Sequence, residues 1–201
     1  MVSAPDRVHL NIQKGEPVED TDQSPFPRPP VRPPALSTAF TSKAISLQLK
    51  MYYQSPIGTI RIESSEKGIS GLVFIDKAEG EELRADFRDS PFTTQIDGYF
   101  NGKRKIFDLP LDLKGTEFQK KVWNELLKIP FGKTISYKEL SIRMGNLKAI
   151  RAVAAANGAN PVSIIVPCHR VIGSDGSLTG YAGGLWRKRW LLDFENKYLL
   201  F

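Results

Sequence analysis

Cys168 is the only cysteine of the chain, and it sits in Pro167-Cys168-His169-Arg170 directly behind the apolar run Val162-Ser163-Ile164-Ile165-Val166. A thiol beside an imidazole can serve as a nucleophile if something helps it ionise, because a free thiol of pKa about 8.5 is mostly protonated at neutral pH. A lone cysteine also belongs to the residue types most often buried and inert, so the tetrapeptide supports both readings. His169 is adjacent in sequence but need not face the sulfur. In an extended segment neighbouring side chains point to opposite faces, and contact would require a bend or an intervening water. A third group normally orients the imidazole. The acids of the second half are Glu117, Glu125, Glu139, Asp175, Asp193 and Glu195. Glu139 is claimed by a capping box; Glu195 lies on a mostly basic or apolar helix and is a candidate that spacing alone does not select.

Composition narrows the chemistry. A single cysteine excludes an internal disulfide, and with only His9 and His169 as histidines no ligand cluster at zinc spacing exists, so neither a metal nor a cofactor is expected. The 201 residues, 41% hydrophobic and 10% aromatic, can bury a proper core in one large domain or two small ones. Met1 to Asn11 has no apolar signal region, and no apolar stretch approaches the roughly 20 residues of a membrane span. The expected location is intracellular, without membrane association.

The net charge of +6 conceals an asymmetry. Residues 1–113 carry 14 Lys/Arg against 16 Asp/Glu, whereas residues 114–201 carry 14 against 6. The basic half is the one that holds Cys168. That footprint suits a phosphate-backbone partner, and it also suits a solvated basic surface.

The elements that must position these residues follow from pattern. Eight of the 14 prolines fall between Pro5 and Pro34, so residues 1–44 read as a proline-rich, disordered tail. An α/β domain is expected over 45–113. Its strands are Leu47–Tyr53, Thr59–Glu63 and Ile69–Ile75, an antiparallel meander joined by the turn-rich Ser55-Pro56-Ile57-Gly58 and Ser65-Glu66-Lys67-Gly68. Helices follow over Glu79–Arg88 and Thr93–Phe100, and Lys103–Leu113 leads onward. Lys103-Arg104-Lys105 reads as a charged linker or a nuclear-import patch.

Residues 114–201 have helical period. Phe118, Val122, Leu126 and Ile129 mark a helix opening at Thr116 and ending before Pro130. Ser136 and Glu139 have capping-box spacing ahead of a short helix from Tyr137 to about Met144. Gly145-Asn146 turns the chain into a second short helix, Lys148–Ala156, with Asn157-Gly158 suited to a left-handed cap. Two short helices about a glycine turn suggest a helix-turn-helix. Ala149, Ala152, Ala154, Ala155 and Ala156 leave little side chain on the second helix, and Arg151 is its one long cation. Such a helix can pack closely on a neighbour or enter a groove of DNA.

Asn160-Pro161, Ile164 to Ile172 around Pro167-Cys168-His169-Arg170, and Gly180-Tyr181-Ala182-Gly183-Gly184-Leu185 together resemble the active-site signature of the O6-alkylguanine-DNA alkyltransferases. Phe118-Gln119, Val122-Trp123, Ile129-Pro130-Phe131-Gly132 and Thr134-Ile135-Ser136-Tyr137 match the same family in the same order. The resemblance spans about residues 47–201 and is strongest from Gly115 onward. It implies a ribonuclease-H-like α/β N-terminal domain and a winged-helix-like C-terminal helix-turn-helix domain, the latter carrying the active site.

The implied function is DNA repair by direct reversal of damage. Cys168 would take the alkyl group from O6-alkylguanine, with O4-alkylthymine a second candidate substrate, irreversibly and once per molecule. Cysteine, water, histidine and glutamate of the family's relay map onto Cys168, His169 and Glu195. Tyr137 resembles the tyrosine that helps rotate the target nucleotide and donates to the leaving base. Arg151 resembles the arginine that fills the vacated stack, since a stacked base is out of reach of a buried thiol. Lys138, Asn146 and Ser174 match DNA-contacting positions, and Asn160 matches an asparagine holding the turn before the active-site segment. The backbones of Cys168, Val171 and Ala182 would lie against the extruded base, and Tyr181 belongs to the same pocket. The implied partner is double-stranded DNA containing O6-alkylguanine, bound through its minor groove by a monomer. Nucleus would be the location in a eukaryote and cytoplasm in a prokaryote. The structural zinc of some family members has no ligands here, and Cys168 separates the chain from related binders that lack the nucleophile. Two rivals stay distinguishable: a thiol hydrolase using Cys168 and His169, and a helix-turn-helix protein that senses alkylated DNA without repairing it.

Overall fold

The alternating apolar positions of the first half do form a meander. In the computed structural model, which describes residues 49–76 and 90–200, strands β1 (Leu49–Ser55), β2 (Gly58–Ser65) and β3 (Gly68–Ile75) pair antiparallel in the order β1-β2-β3. Register places Met51 opposite Ile62 and Ile62 opposite Leu72, so one face of the sheet is apolar and buried. The expected tail, His9 and the expected helix Glu79–Arg88 lie outside the described residues.

Helix α1 (Pro91–Phe100) begins at Ser90, whose hydroxyl accepts from Thr93 N, with proline in the first turn where its missing N–H costs nothing. Helix α2 (Glu117–Leu127) opens on a reciprocal capping box between Thr116 and Gln119. After the two-residue strand β4 (Ile135–Ser136), helix α3 (Tyr137–Arg143) is capped by Ser136 through the Glu139 N–H. The expected reciprocal half is absent: the Glu139 carboxylate pairs with Arg143 one turn along, at 2.7 Å, instead of reaching back. Gly145, at φ +75°, supplies the left-handed turn between the two short helices. A 3-10 turn (Leu147–Ala149) then leads into α4 (Ile150–Gly158).

The expected left-handed cap at Asn157-Gly158 does not form. Both residues belong to α4, which ends at Ala159 with φ −84°. Asn157 is buried and turned toward Tyr137, so it is held in helical geometry by its side chain. The active-site segment follows as a 3-10 turn (Cys168–Arg170) and strand β5 (Val171–Ile172), which pairs in parallel with β4; helix α5 (Leu185–Lys197) closes the chain.

The described residues belong to one compact unit, and its buried apolar cluster runs from the sheet through Trp123, Leu140 and Val153 to Leu191 and Phe194. The edge of β3 away from β2 is covered twice, by a parallel bridge from Ile69 to Leu111 and another from Leu72 to Val162. The segment Lys103–Leu113 therefore does more than connect. Through Leu72, the sheet holds the entrance to the cysteine segment: the Leu72 N–H donates to Pro161 O and Ser163 N–H donates to Leu72 O, both at 2.8 Å. Among the described residues no helix is long and apolar enough to cross a membrane.

Candidate active site

The run before Cys168 is a turn, not an extended segment. Ile164 takes φ +70°, an unusual conformation for a β-branched residue that costs about 1–3 kcal/mol and is held by burial and by the Val166 N–H to Val162 O bond. This curl wraps the chain around Asn160. Its Oδ1 accepts from Val162 N at 3.0 Å, and its Nδ2 donates to Val166 O at 2.8 Å and to Cys168 Sγ at 3.0 Å. Asn160 thus fixes both the turn and the sulfur.

Cys168 is 5% exposed, and burial pushes its thiol pKa up. The Asn160 amide, the Lys188 charge and the N–H groups of Cys168 and His169 oppose that rise. The resting group is a protonated thiol set where an incipient thiolate has waiting donors.

No hydrogen bond joins the Cys168 sulfur to the His169 ring. The His169 ring is fully buried, with Nε2 2.9 Å from Glu195 Oε1 and Nδ1 buried without a partner among the described residues. Burial lowers the imidazole pKa against the pull of Glu195, so the ring is neutral. Burial would raise the Glu195 pKa, but the contacts from His169 and Arg170 outweigh it and hold the carboxyl below the usual carboxylate range. An ionised Oε1 demands a donor, which puts the imidazole proton on Nε2 and leaves the lone pair on Nδ1.

Glu195 accepts five hydrogen bonds. Tyr99 OH, His169 Nε2 and Arg170 Nη2 reach Oε1 at 2.9, 2.9 and 2.8 Å; Arg170 Nε and Gly132 N reach Oε2, each at 2.9 Å. Gly132 has φ +68°, and a Cβ there would collide with Leu199. The cation that occupies Glu195 is Arg170, which lies inside the tetrapeptide. Arg187 instead joins Ile57 O, Gly183 O and Asp76, and Lys188 donates to Val171 O and Thr179 O at 2.6 and 2.7 Å. Burial pushes Lys188 down to about 8.

Tyr137, half-buried at the start of α3, donates to Thr179 O at 3.3 Å and accepts from Asn157 at 3.4 Å. Burial raises its phenol pKa, so the group stays a donor. Val171 is buried beside the Lys188 ammonium, Tyr181 is partly buried with a pKa pushed well up, chiefly by burial, and Ala182 is exposed. Lys138, Asn146, Arg151 and Ser174 are all exposed. Helix α4 divides cleanly: Val153, Ala156 and Asn157 are buried, and Trp123 of α2 donates to Ala156 O at 2.8 Å, while Arg151, Ala152, Ala155 and Gly158 face solvent. Its small residues allow helix packing on one side and leave an open, shallow face on the other. Sequence reasoning missed Tyr99 and gave Gly132 no part beyond its place in a motif; only long-range packing brings the two to Glu195.

The model for the ribonuclease-like domain of 6-O-methylguanine DNA methyltransferase matches residues 49–113, and the model for the DNA-binding domain of the same protein matches residues 117–197. A methylated-DNA--protein-cysteine methyltransferase of Methanosarcina barkeri is 47% identical over 159 residues, covering 74% of this chain and 99% of its own length. The crystal structure of the Mycobacterium tuberculosis O6-methylguanine methyltransferase is 41% identical, covers 76% of this chain and 94% of that one, and superposes with a TM-score of 0.67. A second crystal structure from that organism, of OGT in complex with DNA, is 40% identical over 74% of this chain and 93% of that one, with a TM-score of 0.66. With both halves matched in order around a buried Cys168, the chain belongs to the 6-O-methylguanine DNA methyltransferase family.

Proposed function

We propose that this protein repairs DNA by taking the alkyl group from O6 of a modified guanine onto Cys168, once per molecule. The observation that carries the reading is the 2.9 Å contact of His169 Nε2 with Glu195 Oε1 beside an unpartnered Nδ1: an ionised Glu195 requires Nε2–H, which leaves the free lone pair on Nδ1, on the residue next to a buried thiol. A water between Cys168 and Nδ1 relays the thiol proton to the imidazole. The thiolate attacks the alkyl carbon, the carbon–O6 bond breaks, and its electron pair leaves with guanine. Tyr137, kept protonated, donates to the departing base, and the imidazolium proton restores neutrality. The sulfur keeps the alkyl group as a thioether, which has no further proton to lose.

The partner is double-stranded DNA, met through the minor groove by the shallow face of α4. Arg151 occupies the stack when the base is extruded, and Lys138, Asn146 and Ser174 hold the backbone. Asn160, Val171, Tyr181 and Ala182 shape the pocket. Supporting this reading are the exposure of all four DNA-contact candidates and the small side chains of α4. We further infer a monomer acting inside the cell, with a division near residue 113 between the two matched regions, and O4-alkylthymine as a second substrate.

Incubation with a duplex carrying label on the methyl of O6-methylguanine, followed by digestion, tests the function. Label on the peptide containing Cys168, at no more than one equivalent, is the expected result. Repeated turnover would establish a thiol hydrolase; an intact lesion, with binding unaffected by Cys168→Ala, would establish a sensor.

A further inference from the structure

Oε1 of Glu195 is oversubscribed. A carboxylate oxygen offers about two lone-pair directions, yet Tyr99, His169 and Arg170 all donate to this one. Arg170 has a second bond to Oε2 and cannot easily leave, so Tyr99 and His169 share what remains. Tyr99 arrives from the last turn of α1, 96 residues away in sequence, and is itself fully buried. Its ring is wedged among Phe100, Phe107, Phe131 and Phe194, with centroids 5.3 to 6.0 Å distant, which fixes where the hydroxyl points.

We propose that Tyr99 is a positioning residue of the proton relay: its hydroxyl, supplied by the sheet-bearing half of the chain, competes with His169 for Glu195 Oε1 and so sets how strongly the carboxylate holds the imidazole. The inference rests on the reading of His169 as the base for Cys168. The titratable and charged groups facing the His169–Glu195 pair are Cys168 and Arg170 from the 3-10 turn, Lys188 from α5, Tyr181 from the loop before α5, and Tyr99 from α1. Tyr99 is neutral, since burial first and Glu195 second raise its pKa well above the ordinary value, so it acts as a donor and not as a charge. Each donor on Oε1 disperses negative charge that would otherwise stabilise an imidazolium. Removing the hydroxyl therefore makes the carboxylate a stronger acceptor and His169 more basic. This gives the first half of the chain a part in the chemistry that no contact with DNA would provide.

The chain has only two histidines, so the imidazole signals of His169 and His9 can be told apart by NMR with a His9→Gln control. In the full-length protein, Tyr99→Phe keeps the ring and removes the hydroxyl. The His169 midpoint is expected to rise by roughly 0.5 to 1 pH unit, and the acid limb of single-turnover methyl transfer should move with it. Replacing Tyr99 by 3-fluorotyrosine keeps the volume and strengthens the donor, so the midpoint should fall. An unchanged midpoint in either folded protein, or shifts of the same sign in both, overturns the proposal. Failure of the unmodified protein to label Cys168 would instead overturn the alkyl-transfer reading, and the NMR midpoints would still decide the part played by Tyr99.

Discussion

The network at Glu195 and the outer face of α4 are built on opposite principles. Around Glu195 every charged group is buried and answered: five donors converge on one carboxylate, and Arg170 spends a further bond on Ile129 O at 2.6 Å. On α4 the long cation, Arg151, stands exposed among alanines. A buried charge that loses its partner is expensive, because neither water nor another residue can replace it. An exposed cation costs little to remove, so its value appears only when a partner arrives. Chemistry and recognition should therefore fail separately, and substitutions can show whether they do.

The largest separation is expected at Glu195→Gln. It leaves Arg170 buried beside a neutral amide, trades one acceptor oxygen for a donor, and removes the charge that fixes the His169 tautomer. Loss of about 3–5 kcal/mol in unfolding free energy is expected, with transfer slowed by about a hundredfold or more. Wild-type stability by urea melting, together with unaltered transfer, would break the contrast from the buried side.

Arg151→Ala should do the reverse. Unfolding free energy is expected to stay within about 0.5 kcal/mol of the parent, and reaction with free O6-benzylguanine within about twofold. Repair of duplex DNA should drop by roughly tenfold to a hundredfold, since only the duplex requires extrusion. Equal losses on both substrates would show that Arg151 serves the site instead of the DNA.

The smallest effect is a pH dependence of stability. His169 has a lowered pKa in the fold, so below its ordinary 6.5 the unfolded chain binds a proton that the folded chain refuses. Stability should be fullest above that value and decline as pH falls. Glu195, also depressed, adds a second loss below its ordinary 4.5, as the unfolded carboxyl protonates first. Urea midpoints measured across this range should fall in two stages. A flat profile between about pH 7 and pH 5 would mean that His169 titrates in the fold as it does in the unfolded chain, and stability rising as pH falls would mean that it is already charged there.

What could be read from the sequence was local. Strand alternation at Ile60, Ile62 and Leu72 gave the meander, because a period of two on a half-buried sheet admits one register. Thr116 and Ser136 marked helix starts because a cap acts within one turn, whereas the first helix opens at Pro91 behind Ser90, two residues before the expected Thr93. Local reading failed where two local partners competed. Glu139 had capping-box spacing, but Arg143 four residues on took its carboxylate; Asn157-Gly158 had a helix-ending composition, but burial of Asn157 beside Tyr137 carried the helix past it.

The site divides along the same line. Cys168, His169 and Arg170 are contiguous, and the resemblance carried by the ordered motifs around them pointed to Tyr137, Asn160 and Glu195 before any fold was known. Sequence by itself determined the reactive group: one thiol, beside one imidazole, in a basic half. Only the tertiary structure decided how that group is controlled. The turn at Ile164 that presents Sγ to Asn160, the tautomer of His169, and the convergence of Tyr99, Gly132 and Arg170 on Glu195 all depend on segments separated by up to 96 residues. Distances of that kind are set by burial of a shared core, whose driving force has no direction along the chain.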